Sequence, residues 1–164
     1  MTDRPTDIRP VDTRIVTWGE VHRDTRLLVR RLLAKGPWKG IVALTRGGLV
    51  PAAIVAREMD IRVVETLCIA SYDETRQGAV QVLKAPTAAG DGAGWLLIDD
   101  LVDTGATARE ARRVLPHAHF ATLYAKPQAR ALVDTYVAEV AQETWIYFPW
   151  DTDVGYAAPL VKGA

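Results

Sequence analysis

The residues best suited to chemistry stand in one short stretch, where two adjacent carboxylates precede a turn of small and hydroxylated residues. Asp99 and Asp100 directly follow the apolar run 95–98, and Asp103 and the segment 104–107 come next. Carboxylates do not hold a phosphate, but they suit sugar hydroxyls or a metal ion. Small residues allow backbone N–H groups to converge at a helix start, where the helix dipole favours anions. The stretch therefore predicts a site for a phosphorylated sugar.

The flanking pattern predicts the strand and the helix that must position these groups. The run 95–98 is short, apolar and preceded by glycine, as in a buried strand that ends in a polar loop. Ala108, Ala111 and Leu115 then share one helical face, and Pro116 ends that helix. Open α/β sheets bind ligands at the carboxyl ends of their strands. A solvated acidic turn before an ordinary helix cap would have the same pattern, so the pattern alone does not decide the function.

A second strand-to-helix turn carries an arginine and two glycines. Residues 41–44 have the pattern of a buried strand, and Pro51 suits the first turn of the next helix. Between them, Gly47 allows the backbone to approach a ligand, and Arg46 offers a donor pair for a phosphate. A tight turn with a surface arginine is the alternative interpretation. The pattern alone favours the tight turn and leaves a second phosphate-binding turn as the other possibility.

Two later segments are suited to a planar substrate. Lys126 follows the apolar run 119–125, so we expect it at the carboxyl end of a central strand, on the ligand side. Residues 143–151 crowd aromatic side chains with little helical periodicity, as in a hydrophobic lid or an oligomer contact. An aromatic ring of this segment is able to stack on a planar base.

Composition narrows the class of protein. The 164 residues are 49% hydrophobic and 24% charged, which is typical of one globular domain. Lys+Arg and Asp+Glu both number 20, so no overall basic charge favours nucleic-acid binding. Cys68 is the only cysteine, and residues 1–14 are polar and unlike a signal peptide. We therefore expect a cytoplasmic protein.

The order of predicted elements is helix, strand, helix, strand, flap, strand, helix, strand and an aromatic tail. It predicts an α/β fold with a mainly parallel twisted sheet flanked by helices. We expect a flexible arm at residues 1–14, one domain at 15–164, and a flap at about 71–84 because its first half is polar. Thr17 and Glu20 form a capping-box pattern, which predicts that the first helix begins after Thr17.

The stretch 98–107 resembles the phosphoribosyl pyrophosphate (PRPP) signature of the type I phosphoribosyltransferases, in which hydrophobic residues lead into two acids and a Thr-Gly-rich turn. Further residues narrow the resemblance to the bacterial xanthine-guanine branch of that family, over residues 15 to about 159. It implies a small hood at about 128–164. It also implies transfer of the 5-phosphoribosyl group from PRPP to N9 of guanine, xanthine and hypoxanthine, with release of pyrophosphate.

The resemblance also implies a role for each site residue. Asp103 contacts purine N7 and exchanges a proton there, and Lys126 donates to the 6-oxo group. Trp145 stacks on the ring, and Ile146 offers its backbone carbonyl to the 2-substituent. Mg²⁺ is the implied cofactor, with Asp100 as its ligand. The implied PRPP contacts are Arg46, Gly47, Arg76, Asp99, Asp100, Leu101, Val102, Asp103, Thr104, Gly105, Ala106 and Thr107.

Two positions depart from the family pattern. Gly78 stands where the family has a flap arginine, and Arg76 is the candidate replacement. Tyr147 replaces an acidic residue, which leaves the order of preference among the purines open. The family's pyrophosphate loop can carry a non-proline cis peptide, which we expect between Arg46 and Gly47. A homotetramer and peripheral contact with the inner membrane are implied by the resemblance alone.

Two other function classes compete with this assignment. A non-enzymatic regulator built on the same fold would bind PRPP or a nucleotide without turnover, but the retained acids and Arg46 argue against it. A P-loop nucleotide hydrolase would also need a phosphate cradle, but the motif Gly-x-x-x-x-Gly-Lys-Ser/Thr is absent from the sequence.

Overall fold

A computed structural model describes residues 12–71 and 80–151. The chain forms two compact units, Gly19–Gln142 and the pair of terminal segments Met1–Trp18 and Glu143–Ala164. The elements in chain order are β1 (Asp12–Ile15), α1 (Trp18–Leu33), β2 (Gly40–Thr45), α2 (Leu49–Glu58), β3 (Val64–Ser71), β4 (Val80–Lys84), β5 (Trp95–Val102), α3 (Ala106–Val114), β6 (His119–Ala125), β7 (Thr135–Glu139) and β8 (Thr144–Tyr147). Short 3-10 helices lie at Thr87–Ala89 and Arg130–Leu132.

The larger unit contains a six-stranded sheet in the order β4-β3-β2-β5-β6-β7. All neighbouring pairs are parallel except β3 and β4, which are antiparallel. Helix α2 packs on β2 and β5, and α3 packs on β3 and β4. Both the odd and the even positions of β2 are buried, as expected for a strand covered on its two faces. The predicted α/β fold is confirmed.

Strand β5 is longer than the apolar run 95–98 that predicted it. The ladder with β6 continues past the acids and pairs Asp99 with Thr122 and Val102 with Ala125. Leu97 and Val102 both belong to the core cluster that includes α3, although residues five apart face opposite sides of a regular strand. The alternation is therefore interrupted between them, where the two acids lie. The prediction that the strand ends at Ile98 is wrong, because the acids lie within the part of β5 that pairs with β6.

Helix α1 begins directly after Thr17, as the capping pattern predicts, and buries the apolar stripe that includes Val21, Leu28 and Leu32. It also buries one carboxylate, Asp24. The Tyr124 hydroxyl of β6 donates to Asp24 Oδ2 at 2.6 Å, and Arg23 Nε donates to Asp24 Oδ1 at 2.8 Å. The hydrogen bond from Tyr124 joins α1 to β6, the strand next to the edge strand β7.

Tyr124→Phe is expected to lower the free energy of unfolding by about 1.5–3 kcal/mol, because a buried carboxylate loses a hydrogen-bond donor. Urea unfolding of the variant should show a lower midpoint with an unchanged slope. A loss below about 0.5 kcal/mol would show that Asp24 does not depend on this hydroxyl.

The smaller unit is built on a two-stranded parallel sheet of β1 and β8, in which Asp12 pairs with Thr144 and Ile15 with Tyr147. Thr144 Oγ1 donates to Asp12 Oδ2 at 2.8 Å across 132 positions of sequence. Residues 12–14 were predicted to belong to a flexible arm, and this is wrong for them. Their pairing partner is so distant along the chain that no local pattern indicates the strand. The rest of the predicted arm lies outside the described residues.

Candidate active site

The predicted phosphate turns and Lys126 lie at one edge of the larger unit. Strands β2, β5 and β6 are neighbours and run parallel, so their carboxyl ends meet at the same edge. Arg46 and Gly47 follow β2, Asp103 follows β5, and Lys126 follows β6. This edge is where open α/β sheets bind ligands. The topology therefore brings together side chains that are far apart in the sequence.

The turn after β2 is in contact with the acidic end of β5. A Cβ added to Gly47 would lie 2.5 Å from Asp100 Cγ, closer than real Cβ contacts come, so a larger residue would require the Asp100 carboxylate to move. Arg46, one residue earlier, is exposed. The cis peptide joins Thr45 to Arg46, so the predicted position between Arg46 and Gly47 is wrong by one residue. Thr45 is the last residue of β2 paired with β3, and the chain leaves the sheet at this bond.

Asp99 and Asp100 are adjacent carboxylates in a half-buried position. Asp99 Oδ1 accepts the backbone N–H of Asp100 at 2.9 Å. Burial of the Asp99 carboxyl, and then the neighbouring Asp100 carboxylate, raise the pKa of Asp99 well above its usual range. A cation or a hydroxyl donor placed beside this pair would relieve the repulsion between the two acids.

The turn after β5 forms the start of α3. Its N-cap residue Gly105 has φ +89° and makes no side-chain capping hydrogen bond. The first N–H groups of a helix have no acceptor within the helix, so this terminus offers donors and a positive dipole end to an anion. Arg109 Nη2 folds back to donate to the Thr104 carbonyl at 3.1 Å. The turn has the donors and the charge of a phosphate cradle.

An ion pair stands directly beside this turn. Lys126 Nζ lies 3.1 Å from Asp103 Oδ2, with the Lys126 side chain buried and the Asp103 side chain 39% exposed. The Lys126 backbone N–H donates to the Val102 carbonyl at 2.9 Å, which ties the end of β6 to the end of β5. A buried ammonium and a partly open carboxylate therefore face the ligand edge together.

Sequence reasoning missed one residue of this cluster. Gln142, in the turn after β7, donates from Nε2 to Asp103 Oδ1 at 3.1 Å across 39 positions of sequence. Its Oε1 accepts the backbone N–H of Gln128 at 3.1 Å. Nothing local in the sequence distinguishes this glutamine from a surface residue.

The other predicted contacts include two residues of the smaller unit. Trp145 and Ile146 belong to β8 in the smaller unit. Ile146 is buried, and Trp145 is 50% exposed. The Trp145 and Tyr147 rings meet edge to face, with centroids 6.3 Å apart. Arg76 and Gly78 lie outside the described residues. In the parts of the chain that the structure covers, no helix has the length and apolar character to cross a bilayer.

A family model described as the phosphoribosyl transferase domain matches residues 17–157. The chain belongs to the phosphoribosyltransferase family. The family identified from the stretch 98–107 is thereby confirmed.

Curated relatives of this phosphoribosyltransferase carry a more specific name. A xanthine-guanine phosphoribosyltransferase of Nitratidesulfovibrio vulgaris is 61% identical over 148 residues, which are 90% of each chain. One from Chromohalobacter salexigens is 57% identical over 146 residues, covering 89% of this chain and 88% of the relative. Among solved structures, a purine phosphoribosyltransferase from Pyrococcus horikoshii aligns with a TM-score of 0.74 at 25% identity, over 91% of this chain and 100% of that one.

Proposed function

We propose that this phosphoribosyltransferase transfers the 5-phosphoribosyl group from PRPP to N9 of guanine, xanthine and hypoxanthine. The products are the purine nucleotide, GMP, XMP or IMP, and pyrophosphate, as in purine salvage. The observation that carries the proposal is the Asp103–Lys126 pair beside a helix terminus suited to phosphate. The names of relatives that are 57–61% identical support the choice of purines.

The ion pair matches the edge of a 6-oxopurine. In guanine, O6 and N7 are neighbouring hydrogen-bonding atoms on one edge. Lys126 has donors only, so it suits O6, while the Asp103 carboxylate suits a protonated N7. An adenine presents an amino group in place of O6, so it offers the Lys126 ammonium no acceptor on the base. The pair therefore selects 6-oxopurines and orients N9 toward the sugar.

The reaction forms one bond and breaks another at the same carbon. N9 attacks C1′ of the ribose as the bond from C1′ to the pyrophosphate oxygen breaks, and pyrophosphate leaves with the electron pair. The purine gains positive charge as the new bond forms, and Asp103 accepts the N7 proton. The N-terminal turn of α3 holds the 5-phosphate, and Arg46 with the Gly47 backbone holds the pyrophosphate.

The acids at the end of β5 fit a Mg²⁺ ion. No cluster of three or more metal-ligating side chains occurs in the described ranges 12–71 and 80–151. Mg²⁺ commonly binds one or two carboxylates together with substrate phosphates, so a pair of acids next to a phosphate cradle suits it. Asp100 would hold the ion, with Asp99 beside it. When bound, Mg²⁺ neutralises charge on the leaving pyrophosphate.

The proposal is tested by measuring pyrophosphate release from PRPP with Mg²⁺ and, separately, guanine, xanthine, hypoxanthine, adenine or orotate. We expect turnover with the 6-oxopurines alone. The order of their rates gives the purine preference that the departure at Tyr147 leaves open. Turnover with none of them, despite measurable PRPP binding, would favour a regulator on this fold. Omitting Mg²⁺ tests the cofactor assignment, because turnover should then fall to background.

Gly47→Ala is expected to lower kcat/KM for PRPP by about 10²-fold, because the new methyl group would displace the Asp100 carboxylate from the pyrophosphate turn. Steady-state kinetics with PRPP varied at saturating guanine measure this loss. Gly90→Ala is a matched control, since a Cβ at Gly90 meets nothing within 4 Å, although its φ of +56° lowers stability. If Gly47→Ala and Gly90→Ala retain equal kcat/KM, the contact with Asp100 has no role in PRPP binding.

The resemblance further supports a cytoplasmic homotetramer with peripheral contact to the inner membrane and a flap that closes through Arg76. Sedimentation velocity tests the tetramer, and co-flotation with phospholipid vesicles tests the membrane contact. Arg76→Ala tests the flap, and a rise in KM for PRPP is expected.

A further inference from the structure

The Asp103 carboxylate is held at both of its oxygens. Lys126 Nζ lies 3.1 Å from Oδ2, and Gln142 Nε2 donates to Oδ1 at 3.1 Å. The Asp103 side chain is 39% exposed and lies beyond the last residue of β5, so the sheet itself does not fix it. Its orientation depends on these two contacts.

The amide of Gln142 is itself oriented by the backbone. Gln128 N–H donates to Gln142 Oε1 at 3.1 Å. A backbone N–H can only donate, so the amide oxygen must face Gln128 and the NH₂ group must face Asp103. The chain thus presents a donor, and not an acceptor, to the carboxylate.

The two contacts differ in what happens when a purine binds. Lys126 turns toward O6 of the base in the proposed reaction, and its share in holding Asp103 decreases. Gln142 has no partner on the purine in that arrangement and stays on Oδ1. It therefore keeps the carboxylate directed at N7 during proton transfer.

We propose that Gln142 is a positioning residue for phosphoribosyl transfer, which holds Asp103 in line with purine N7. This inference rests on the proposed function, because it requires Asp103 to act on N7. A carboxylate that rotates away from N7 cannot accept the proton within hydrogen-bond reach, so the effect falls on the chemical step.

Gln142→Glu tests the inference with nearly the same shape. The new carboxylate still accepts the Gln128 N–H, but it offers Asp103 an oxygen in place of the NH₂ donor. We expect kcat with guanine to fall about 10- to 100-fold, with KM for PRPP changed by less than about twofold. Gln142→Met removes the donor without adding charge, and the same loss in kcat is expected of it.

Ala34→Glu is the control for the added charge. It introduces one negative charge on an exposed residue between α1 and the start of β2, away from the strand ends that carry the site, so kcat should stay within about twofold of the parent enzyme. Urea unfolding of all variants separates a loss of stability from a loss in the chemical step. If Gln142→Glu and Gln142→Met both keep parental kcat, the inference is overturned.

A double-mutant cycle separates positioning from a merely structural role. In an Asp103→Asn background, Gln142→Met should cost less than about twofold in residual kcat, because the group it positions no longer takes a proton. An additive loss would overturn the inference. If Asp103→Asn alone turns over normally, both the proposed function of Asp103 and this inference fail. If Asp103→Asn is slow but Gln142 variants are fast, only the inference fails.

Discussion

Asp103→Asn is expected to lower kcat by about 10²-fold or more, with a modest change in KM for PRPP. Asparagine has the shape of aspartate and still offers an oxygen to Lys126 or Gln142, the two side chains that hold Asp103. Its amide cannot take the N7 proton, so positive charge remains on the purine as the bond to C1′ forms. In the proposed mechanism the turn at the start of α3 holds the 5-phosphate of PRPP, and the substitution leaves that turn intact.

Steady-state rates with guanine and PRPP varied in turn separate the two parameters. Asp60→Asn is the matched control, because it makes the same chemical change on a side chain that is 84% exposed. Parental kcat is expected of the control. Near-normal kcat in Asp103→Asn itself would remove Asp103 from acid–base catalysis and would point to a proton acceptor in solvent.

Lys126→Met is expected to lower kcat/KM for guanine by about 10²- to 10³-fold, since the buried ammonium proposed to donate to O6 is replaced by a thioether. Methionine fills much of the same space, so packing at the end of β6 is retained. The loss should come with weaker discrimination against adenine, because the donor that requires an oxygen at this position is gone. Binding of PRPP should change little.

Competition between guanine and adenine measures this change in discrimination directly. Lys35→Met, on an exposed side chain, controls for loss of one positive charge. Two results would exclude Lys126 as the group that recognises O6. One is efficient adenine transfer by the parent enzyme, and the other is an unchanged preference for guanine in the variant.

The sheet edge that carries the candidate site was predictable because its sequence signals are local. The acids and small residues at 98–107, the Arg46–Gly47 turn and the lysine after an apolar run each lie within a few residues of the strand that positions them. The carboxyl ends of neighbouring parallel strands meet at one edge of the sheet, so the parallel arrangement alone brings the three segments together. The predicted strands and helices around these segments, from β2 to β6, are therefore present, although β5 continues four residues beyond its predicted end at Ile98.

The features that escaped prediction depend on pairs that are distant in sequence. Strand β1 exists through its ladder with β8, and Gln142 reaches Asp103 across 39 positions. The extension of β5 through its acids depends on the ladder with β6, since Asp99 and Asp100 have low intrinsic preference for strands. A local sequence pattern does not indicate which distant residues will pair.

Because of the interrupted alternation in β5, the acids of the site differ in how much conformational entropy they lose when a ligand binds. Leu97 and Val102 are both anchored in the core, so the segment that carries Asp99 and Asp100 is fixed at its two ends before any ligand arrives. Binding of a ligand to Asp99 and Asp100 therefore costs little conformational entropy in this segment. Asp103 lies beyond the second anchor and would lose rotational freedom on binding if it were free. Its two side-chain contacts restrict that rotation in advance, so the carboxylate proposed to accept the purine proton is already ordered before the purine binds.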